Sequence, residues 1–473
     1  MHPFLRILPV ALVIACSGIT VAWWAAPTRH TELRVPGMDK PAGTVAATGP
    51  SLEGQTRLGS GQPGSETGTW RQFRGDNRTS IAAAQSLLTN TLDASRLLWT
   101  IPTGEGYAGP AICQGRVYLL DYDPDQRADT LRCLSLDSGQ EIWRHSYTVD
   151  IKRNHGMSRT IPAVGQNVVI TIGPKVHVVA VDRLTGEFRW GKDLVREFGT
   201  VVPPWYAGQC PLLDIDPQAT DRLILAPVGR SVLLMAVEAD TGKILWQTPN
   251  ERAWQMTHAS IMPMPLGSRN TYVYAGSNGV LGVDALTGEK LWETEEWKVH
   301  IATVPSPLDL GNGRLLLTGG YGAGAMLVDL IPNGDKFDVK IIKRMASAEF
   351  GSDQQTPIFF ENHIYGVRPD GQMVCLDRDG KILWASGGTV RFGLGAFAIA
   401  DGKIFGINDS GLMRILEAKH DKCVVLCKAQ MLDGARECWG PMAFTDGRLL
   451  FRDLTRLACL DLRPAPSSPE SGR

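Results

Sequence analysis

Two adjacent cysteines occur nowhere in this 473-residue chain, and neither a CxxC nor a CxxCH motif is present. The sequence therefore lacks the signatures of a paired-cysteine zinc site and of a c-type haem site. An excess of positive charge is also absent, because the formal net charge is −1 and no run of lysine or arginine appears. The composition therefore predicts no binding of nucleic acid.

The common nucleotide-binding and hydrolytic motifs are missing as well. No P-loop, nucleophile elbow, GxGxxG or HExxH stands in a suitable context. The glycine-rich stretch "TGGYGAGA" (residues 318–325) lies between two predicted strands rather than before a helix, which is typical of a turn. No metal site is predicted.

Long apolar runs are limited to residues 7–26, which contain no charged side chain. Twenty such residues suffice for a membrane-spanning helix, so residues 1–26 are predicted to form a signal anchor. A cleaved signal peptide and a lipoprotein signal acylated at Cys16 are the alternatives. Each places most of the chain in the periplasm or an equivalent extracytoplasmic compartment. The Gly-, Ser-, Thr- and Pro-rich residues 27–68 are predicted to be a flexible tether.

A decamer that recurs at a nearly fixed interval is the main feature of the remaining chain. "VDALTGEKLW" (residues 283–292) has close copies at 181–190 and 237–246, a variant at 134–143 and a copy one residue shorter at 376–384. A further degenerate copy, "AMLVDLIPNG", has Asp329 in the acidic position and no tryptophan. The recurrence indicates architecture rather than a catalytic motif. The tryptophans predicted to dock between neighbouring repeats are Trp99, Trp143, Trp190, Trp246, Trp292 and Trp384.

Eight repeats of about 45 residues each carry a short apolar strand followed by a second strand that ends near the acidic position. Four strands per repeat make one propeller blade, so residues 69–463 are predicted to form an all-β, eight-bladed β-propeller. The last repeat lacks its tryptophan strand, whereas an orphan strand containing Trp99 precedes the first repeat. We expect this strand to complete the last blade and close a monomeric ring. Residues 464–473 are predicted to be a disordered tail.

The nine cysteines leave two alternatives open. In an oxidising compartment Cys113 could pair with Cys133, and Cys423, Cys427 and Cys438 are also close in sequence. Otherwise the thiols are small buried apolar side chains.

The repeats resemble those of pyrroloquinoline-quinone (PQQ) propeller proteins, over about residues 70–463. That superfamily includes quinoprotein alcohol dehydrogenases and a non-enzymatic propeller lipoprotein of outer-membrane assembly. The lead-in "WRQFRGDNRTS" (residues 70–80) is similar to the start of many PQQ-like proteins of the bacterial envelope.

The resemblance implies a ligand site over the central channel. In the dehydrogenases PQQ stacks on a tryptophan and a disulfide between adjacent cysteines, calcium polarises it, and an aspartate acts as base. This chain lacks the adjacent cysteines, and the calcium ligands have no residue-by-residue match. If the protein is an enzyme, Asp353 is the predicted catalytic residue. The loops entering the innermost strands supply the ligand-binding candidates: His155, Arg159, Trp205, Tyr206, His258, His300, Asp353, Gln354, Arg391, Glu437 and Trp439.

These features favour a non-catalytic binding or scaffolding module, anchored to the membrane and facing envelope or membrane proteins as partners. The alternative function is a PQQ-dependent dehydrogenase of alcohols or sugars that uses the central channel with PQQ and calcium.

Overall fold

A computed structural model describes residues 51–82, 88–215 and 220–464 of the protein. The predicted anchor with Cys16, the first part of the predicted tether and residues 465–473 lie outside the described residues. Among the residues described, no helix is long and apolar enough to cross a membrane.

The described chain is almost entirely strand. Before the first blade it forms β1 (Gln55–Leu58), β2 (Thr69–Trp70), a 3-10 turn (Ala94–Arg96) and β3 (Leu97–Pro102). Blade 1 contains β4 (Ala111–Cys113), β5 (Arg116–Asp123), β6 (Ala128–Ser135) and β7 (Glu141–Thr148). Blade 2 contains β8 (Ala163–Val164), β9 (Val168–Ile172), β10 (His177–Asp182) and β11 (Phe188–Asp193). The short helix α1 (Leu194–Phe198) then leads to blade 3, with β12 (Leu212–Asp214), β13 (Arg222–Leu225), β14 (Val232–Glu238) and β15 (Ile244–Pro249).

The second half of the ring repeats the same unit. Blade 4 contains β16 (Met262–Leu266), β17 (Arg269–Gly276), β18 (Gly279–Asp284) and β19 (Lys290–Thr294). Blade 5 contains β20 (Leu308–Asp309), β21 (Arg314–Gly319), β22 (Gly324–Asn333) and β23 (Lys336–Met345). Blade 6 contains β24 (Ile358–Phe360), β25 (His363–Val367), β26 (Met373–Leu376) and β27 (Ile382–Ala385). Blade 7 contains β28 (Phe397–Ala400), β29 (Lys403–Ile407), β30 (Leu412–Glu417) and β31 (Val425–Gln430). Blade 8 contains β32 (Ala443–Thr445), β33 (Arg448–Arg452) and β34 (Arg456–Asp461).

The described residues form eight antiparallel sheets, which confirms the predicted eight-bladed propeller. Blade 8 has the strand order β3-β34-β33-β32, so the orphan strand before the first repeat does close the ring. Trp99 lies opposite Cys459 across this junction. Because strands alternate in direction, the loops that enter the innermost strands and the hairpins between the two middle strands share one side of the ring. We call this side the mouth face, and the decamer turns lie on the opposite face.

The decamer residues have separate structural tasks. The Asp182 carboxylate accepts the N–H groups of Leu184 and Thr185 at 2.9 Å each, which fixes the turn that follows β10. Gly186 has φ of +75°, and a Cβ there would lie 2.6 Å from the Trp143 ring of the preceding blade. Glycine is therefore needed for both the backbone conformation and the close approach.

Five of the six tryptophans, all except Trp292, contact the turn of the next blade. A Cβ at Gly139, Gly242 or Gly288 would likewise contact the tryptophan of the blade before it. The indole N–H groups of four tryptophans donate to carbonyl groups of the next blade: Trp99 to Leu136, Trp190 to Ala239, Trp246 to Ala285 and Trp384 to Lys419. The buried indole N–H groups of Trp143 and Trp292 have no hydrogen-bond partner among the described residues. The apolar core is thus distributed between adjacent blades rather than gathered at one centre.

Residues 51–68, predicted to belong to the flexible tether, pack against blade 1 as part of an N-terminal segment (residues 51–82). β1 pairs with β7 at the outer edge of blade 1, and β2 pairs with β4 at its inner edge, so this sheet has six strands. Between them the segment follows the opposite face, where the Gly64 N–H donates to the Gly115 carbonyl at 2.7 Å. The predicted tether therefore extends too far towards the C-terminus. It was inferred from the lack of apolar residues, but short strands can pair through backbone hydrogen bonds without an apolar composition.

The described cysteines are all free thiols, so neither the Cys113–Cys133 pair nor any pair among Cys423, Cys427 and Cys438 is bridged. Six of the eight are buried, in keeping with the alternative of small apolar side chains. Burial raises the pKa of the Cys438 thiol to about 12 and that of Cys210 above its usual value, which keeps both thiols protonated.

Candidate functional site

A pocket of about 340 Å³ occupies the channel at the mouth face. Seven of the eight blades contribute to its lining, because each sends one loop towards the axis before its innermost strand. Six of the predicted site residues line it: His155, Arg159, Trp205, His258, Gln354 and Trp439. Their role in binding a ligand stays a prediction.

One wall of the pocket is a stack of three side chains. The Tyr107 ring is the middle member. Its centroid lies 5.1 Å from that of the Trp439 ring, at an interplanar angle of 27°, and 5.4 Å from the Arg159 guanidinium. The Tyr107 hydroxyl donates to Glu437, and the Trp439 indole N–H donates to Asp409 at 2.6 Å. Both rings are therefore held in place by carboxylates behind the wall.

The Arg159 guanidinium is committed to its own loop. Its Nη1 and Nη2 atoms donate to the carbonyl oxygens of residues 154–157 at 3.0–3.4 Å. His155 within this loop has φ of +52°, so the arginine holds a turn that an ordinary residue adopts only with strain. Burial lowers the pKa of Arg159 to about 10, which leaves the group charged at neutral pH.

Trp205 and His258 lie across the ring from this stack, with ring centroids 6.3 Å apart. Burial, and secondly the charge of Arg159, lowers the pKa of His258 to about 4. The imidazole is therefore neutral at pH 7, and because its ring hydrogen-bonds to the backbone of Tyr206 and Trp205, one ring nitrogen at most remains for a ligand. Its Nε2 atom is shielded from solvent and has no hydrogen-bond partner among the described residues.

A ladder of hydrogen bonds joins five consecutive blades below the mouth. The Ile161 N–H donates to the Cys210 sulfur, and the Cys210 N–H donates to the Ser260 hydroxyl at 3.0 Å. The Ser260 N–H donates in turn to Ser306 at 3.0 Å, and the Ser306 N–H to Thr356 at 2.9 Å. Ser260 and Thr356 also line the pocket. The Ser260 hydroxyl also hydrogen-bonds to the Cys210 thiol, whereas the Thr356 hydroxyl acts only as an acceptor in the ladder and keeps its O–H to donate.

The floor of the pocket comes from the N-terminal segment. Phe73 lines the pocket, and the Arg78 guanidinium lies 5.3 Å from its ring. The wholly buried Arg74 donates to the Thr356 and Pro357 carbonyls at 2.8 and 2.9 Å, and burial lowers its pKa to about 9. These residues of the N-terminal segment form a plug in the channel. On the far side of the plug a second cavity of about 560 Å³ opens towards the opposite face. The channel is therefore divided in two.

Five predicted residues do not line the mouth pocket. Tyr206 is fully buried and its hydroxyl donates to the Lys152 carbonyl, Glu437 supports Tyr107 from behind, and Asp353 is partly buried next to Gln354. His300 and Arg391 are exposed on their loops and also lie outside the lining.

Tyr107, Phe73, Ser260 and Thr356 were missed by the sequence reasoning. Tyr107 stands in a loop already assigned to the mouth, and the aromatic type of its side chain was the available signal. The hydroxyl ladder has no such signal, because it depends on the register between neighbouring blades.

The mouth residues do not fit PQQ held by calcium in the way the resemblance implies. Among the described residues, those that line the mouth pocket include no aspartate, glutamate or asparagine, the residue types that would hold calcium. Four of the five Arg159 N–H groups already bind carbonyls of its own loop, and Arg391 lies outside the lining. Arg159 and Arg391, the two arginines among the ligand-binding candidates, therefore do not form a pair in the pocket that could hold a carboxylate.

The fold and pocket together define an eight-bladed propeller with a ligand-sized pocket at one mouth of its channel. The family of PQQ-like proteins described as "Outer membrane protein assembly factor BamB" matches residues 64–202 and 207–330. These ranges cover more than half of the chain, and the protein belongs to this family. No curated protein sequence matches the chain.

Solved structures with low sequence identity share the fold. BamB from Moraxella catarrhalis is 14% identical with a TM-score of 0.50, and the match covers 79% of this chain and 100% of that one. A europium-containing methanol dehydrogenase is 13% identical with a TM-score of 0.54, and the match covers 81% of this chain and 89% of that one. At these identities the similarity concerns the fold alone, and it includes both an assembly factor and an enzyme.

Proposed function

We propose that the protein is a non-catalytic binding module of the bacterial envelope that holds another envelope protein against its mouth face. The observation that carries the proposal is the rigid, partly apolar rim of this face. Ile301, in the loop that enters blade 5, is 52% exposed, and Tyr321, in the hairpin between the two middle strands of the same blade, is 51% exposed and also lines the pocket. Large apolar side chains grouped on a rigid face are typical of protein-binding sites.

Membership of the BamB family supports a role beside other envelope proteins, because the family is described as an outer-membrane assembly factor. The uncharged residues 7–26 support an extracytoplasmic location, with the anchor, cleaved signal and lipoprotein alternatives all leading there. A propeller that presents preformed loops loses little conformational entropy on binding, which suits a scaffold.

A site-specific photo-crosslinking experiment in cells tests this proposal. A photoreactive residue is placed at Ile301 or Tyr321, and in control variants at Leu184 or Leu286, which are 52% and 72% exposed on the opposite face. We expect a discrete crosslinked protein from the mouth positions and none from the controls. Equal crosslinking from both faces, or none from the mouth, would contradict the proposal.

The alternative is a PQQ-dependent dehydrogenase, and one observation favours it. Asp353 is partly buried beside the pocket residue Gln354, and burial raises the pKa of its carboxyl group. A carboxylate whose pKa is raised accepts a proton more readily than one at its ordinary value, which suits a general base. Purified full-length protein supplied with PQQ and calcium is assayed for dye reduction with a panel of alcohols. Turnover that disappears in Asp353→Asn would overturn the non-catalytic proposal.

A further inference from the structure

The mouth pocket combines aromatic walls with polar groups that carry no charge. Trp205 and Trp439 are both partly exposed and come from blades 3 and 8. The pocket residue His258 is neutral at pH 7, and Thr356 retains a hydroxyl hydrogen to donate. Gln354, which also lines the pocket, adds an amide with both a donor and an acceptor.

The terminal N–H groups of the arginine that lines the pocket are already hydrogen-bonded. Arg159 is the cation of the wall, and its Nη1 and Nη2 hydrogens are directed at four backbone carbonyls. An anionic ligand would therefore find no forked pair of free N–H groups here, which is the usual means of binding a carboxylate or phosphate. The arrangement favours a ligand whose polar groups are neutral and can donate and accept at once.

We propose that the mouth pocket binds an uncharged sugar unit, with one pyranose face stacked on Trp205 or Trp439 and its hydroxyls bonded to His258, Gln354 and the pocket hydroxyls. A pyranose ring has an apolar C–H face, which suits an aromatic wall, and a rim of hydroxyls that both donate and accept. A volume of about 340 Å³ is at the small end of the roughly 300–1,000 Å³ typical of ligand pockets, which suits one or two sugar rings. The inference rests on the proposed function in placing the binding site at the mouth face.

Binding is measured on the full-length protein in detergent by isothermal titration calorimetry and by tryptophan fluorescence. The probes are cellobiose, maltose and N,N′-diacetylchitobiose as neutral sugars, with galacturonic acid as an anionic comparison. We expect saturable binding of at least one neutral sugar, with an affinity that does not change between low and high salt, because a neutral ligand is not screened. The three disaccharides distinguish an acetamido sugar from plain glucose units as the source.

Two substitutions in the walls and one control give the residue-level test. Trp205→Ala and Trp439→Ala are each expected to weaken binding at least about tenfold, while His300→Ala, on an exposed loop outside the pocket, leaves it unchanged. Far-UV circular dichroism checks that each variant is folded. His258→Ala removes a proposed hydrogen bond to the sugar while both tryptophans remain, and it is also expected to weaken binding.

The inference is overturned if no neutral sugar binds, if only the anionic probe binds with a salt-dependent affinity, or if both tryptophan variants bind as the wild type does. Failure here is distinguishable from failure of the proposed function. Photo-crosslinking from Ile301 to a protein does not require an occupied pocket, and sugar binding does not require a protein partner.

Discussion

At the scale of single residues, Asp129 of blade 1 is the clearest case of a side chain whose burial has a measurable consequence. It is 1% exposed, one carboxylate oxygen accepts the Tyr147 hydroxyl at 2.8 Å, and the other oxygen has no partner among the described residues. Burial raises the pKa of Asp129 to about 7. The folded protein therefore holds a proton there that the unfolded chain releases near pH 4.

This pKa fixes how stability varies with pH. A folded-state pKa above the unfolded value gives a contribution that is complete below about pH 4 and lost as the pH rises through about 7. At about 1.4 kcal/mol per pH unit, the loss at pH 8 is on the order of 4 kcal/mol. We expect Asp129→Asn to be more stable than the wild type at pH 8 and to lack this slope. Chemical denaturation at pH 5 and pH 8 is the measurement, and the exposed Asp150→Asn is the matched control.

At the scale of elements, the contact between a tryptophan strand and the next decamer turn is the repeated joint of the ring. Trp190 at the end of blade 2 is 8% exposed, donates to Ala239 at 2.8 Å and lies against Gly242 of blade 3. We expect Trp190→Ala to lower the free energy of unfolding by about 3–5 kcal/mol, as is usual for a buried aromatic residue. Urea denaturation followed by circular dichroism measures this change.

A second variant at the same joint separates ring packing from the hydrogen bond. Trp190→Phe keeps a ring but loses the indole donor, so it is expected to be less destabilised than Trp190→Ala. If Trp190→Phe lowers the free energy of unfolding as much as Trp190→Ala does, ring packing is not what stabilises this joint.

At the scale of the whole molecule, stability depends on closing the ring between β3 and β34. These strands pair from Leu97 with Leu460 to Pro102 with Arg456, across a sequence separation of more than 350 residues. Without β3 the outer face of β34 is an unpaired edge, and blade 8 loses the tryptophan that docks on blade 1.

Three N-terminal truncations measure the contribution of this closure. Chains beginning at residues 51 and 88 both keep β3, and the second lacks β1, β2 and the channel plug. A chain beginning at residue 103 lacks β3 as well. We expect the chains from 51 and 88 to unfold cooperatively in thermal scans followed by circular dichroism. The chain from 103 is expected to aggregate on size-exclusion chromatography or to unfold without a sharp thermal transition. Equal cooperativity of the chains from 88 and 103 would show that closure is dispensable.

The number of blades, the docking tryptophans and the closing strand could all be predicted from the sequence. Each of these depends on a local unit copied at regular spacing, such as the Asp182–Gly186 turn and the tryptophan that follows it. The repeat is visible in the sequence because every blade packs against its neighbour through the same residue types at the same spacing.

The set of side chains that line the pocket depends on the tertiary structure. Loops were correctly expected to meet at the mouth, but which side chains point inward depends on how each blade is rotated about the axis. Arg159 therefore serves its own loop, Arg391 stays in solvent, and Tyr107 with Phe73 completes the wall and floor. The N-terminal plug and the Ser260–Thr356 ladder arise from contacts between residues far apart in the chain, whose registers no single stretch of sequence specifies.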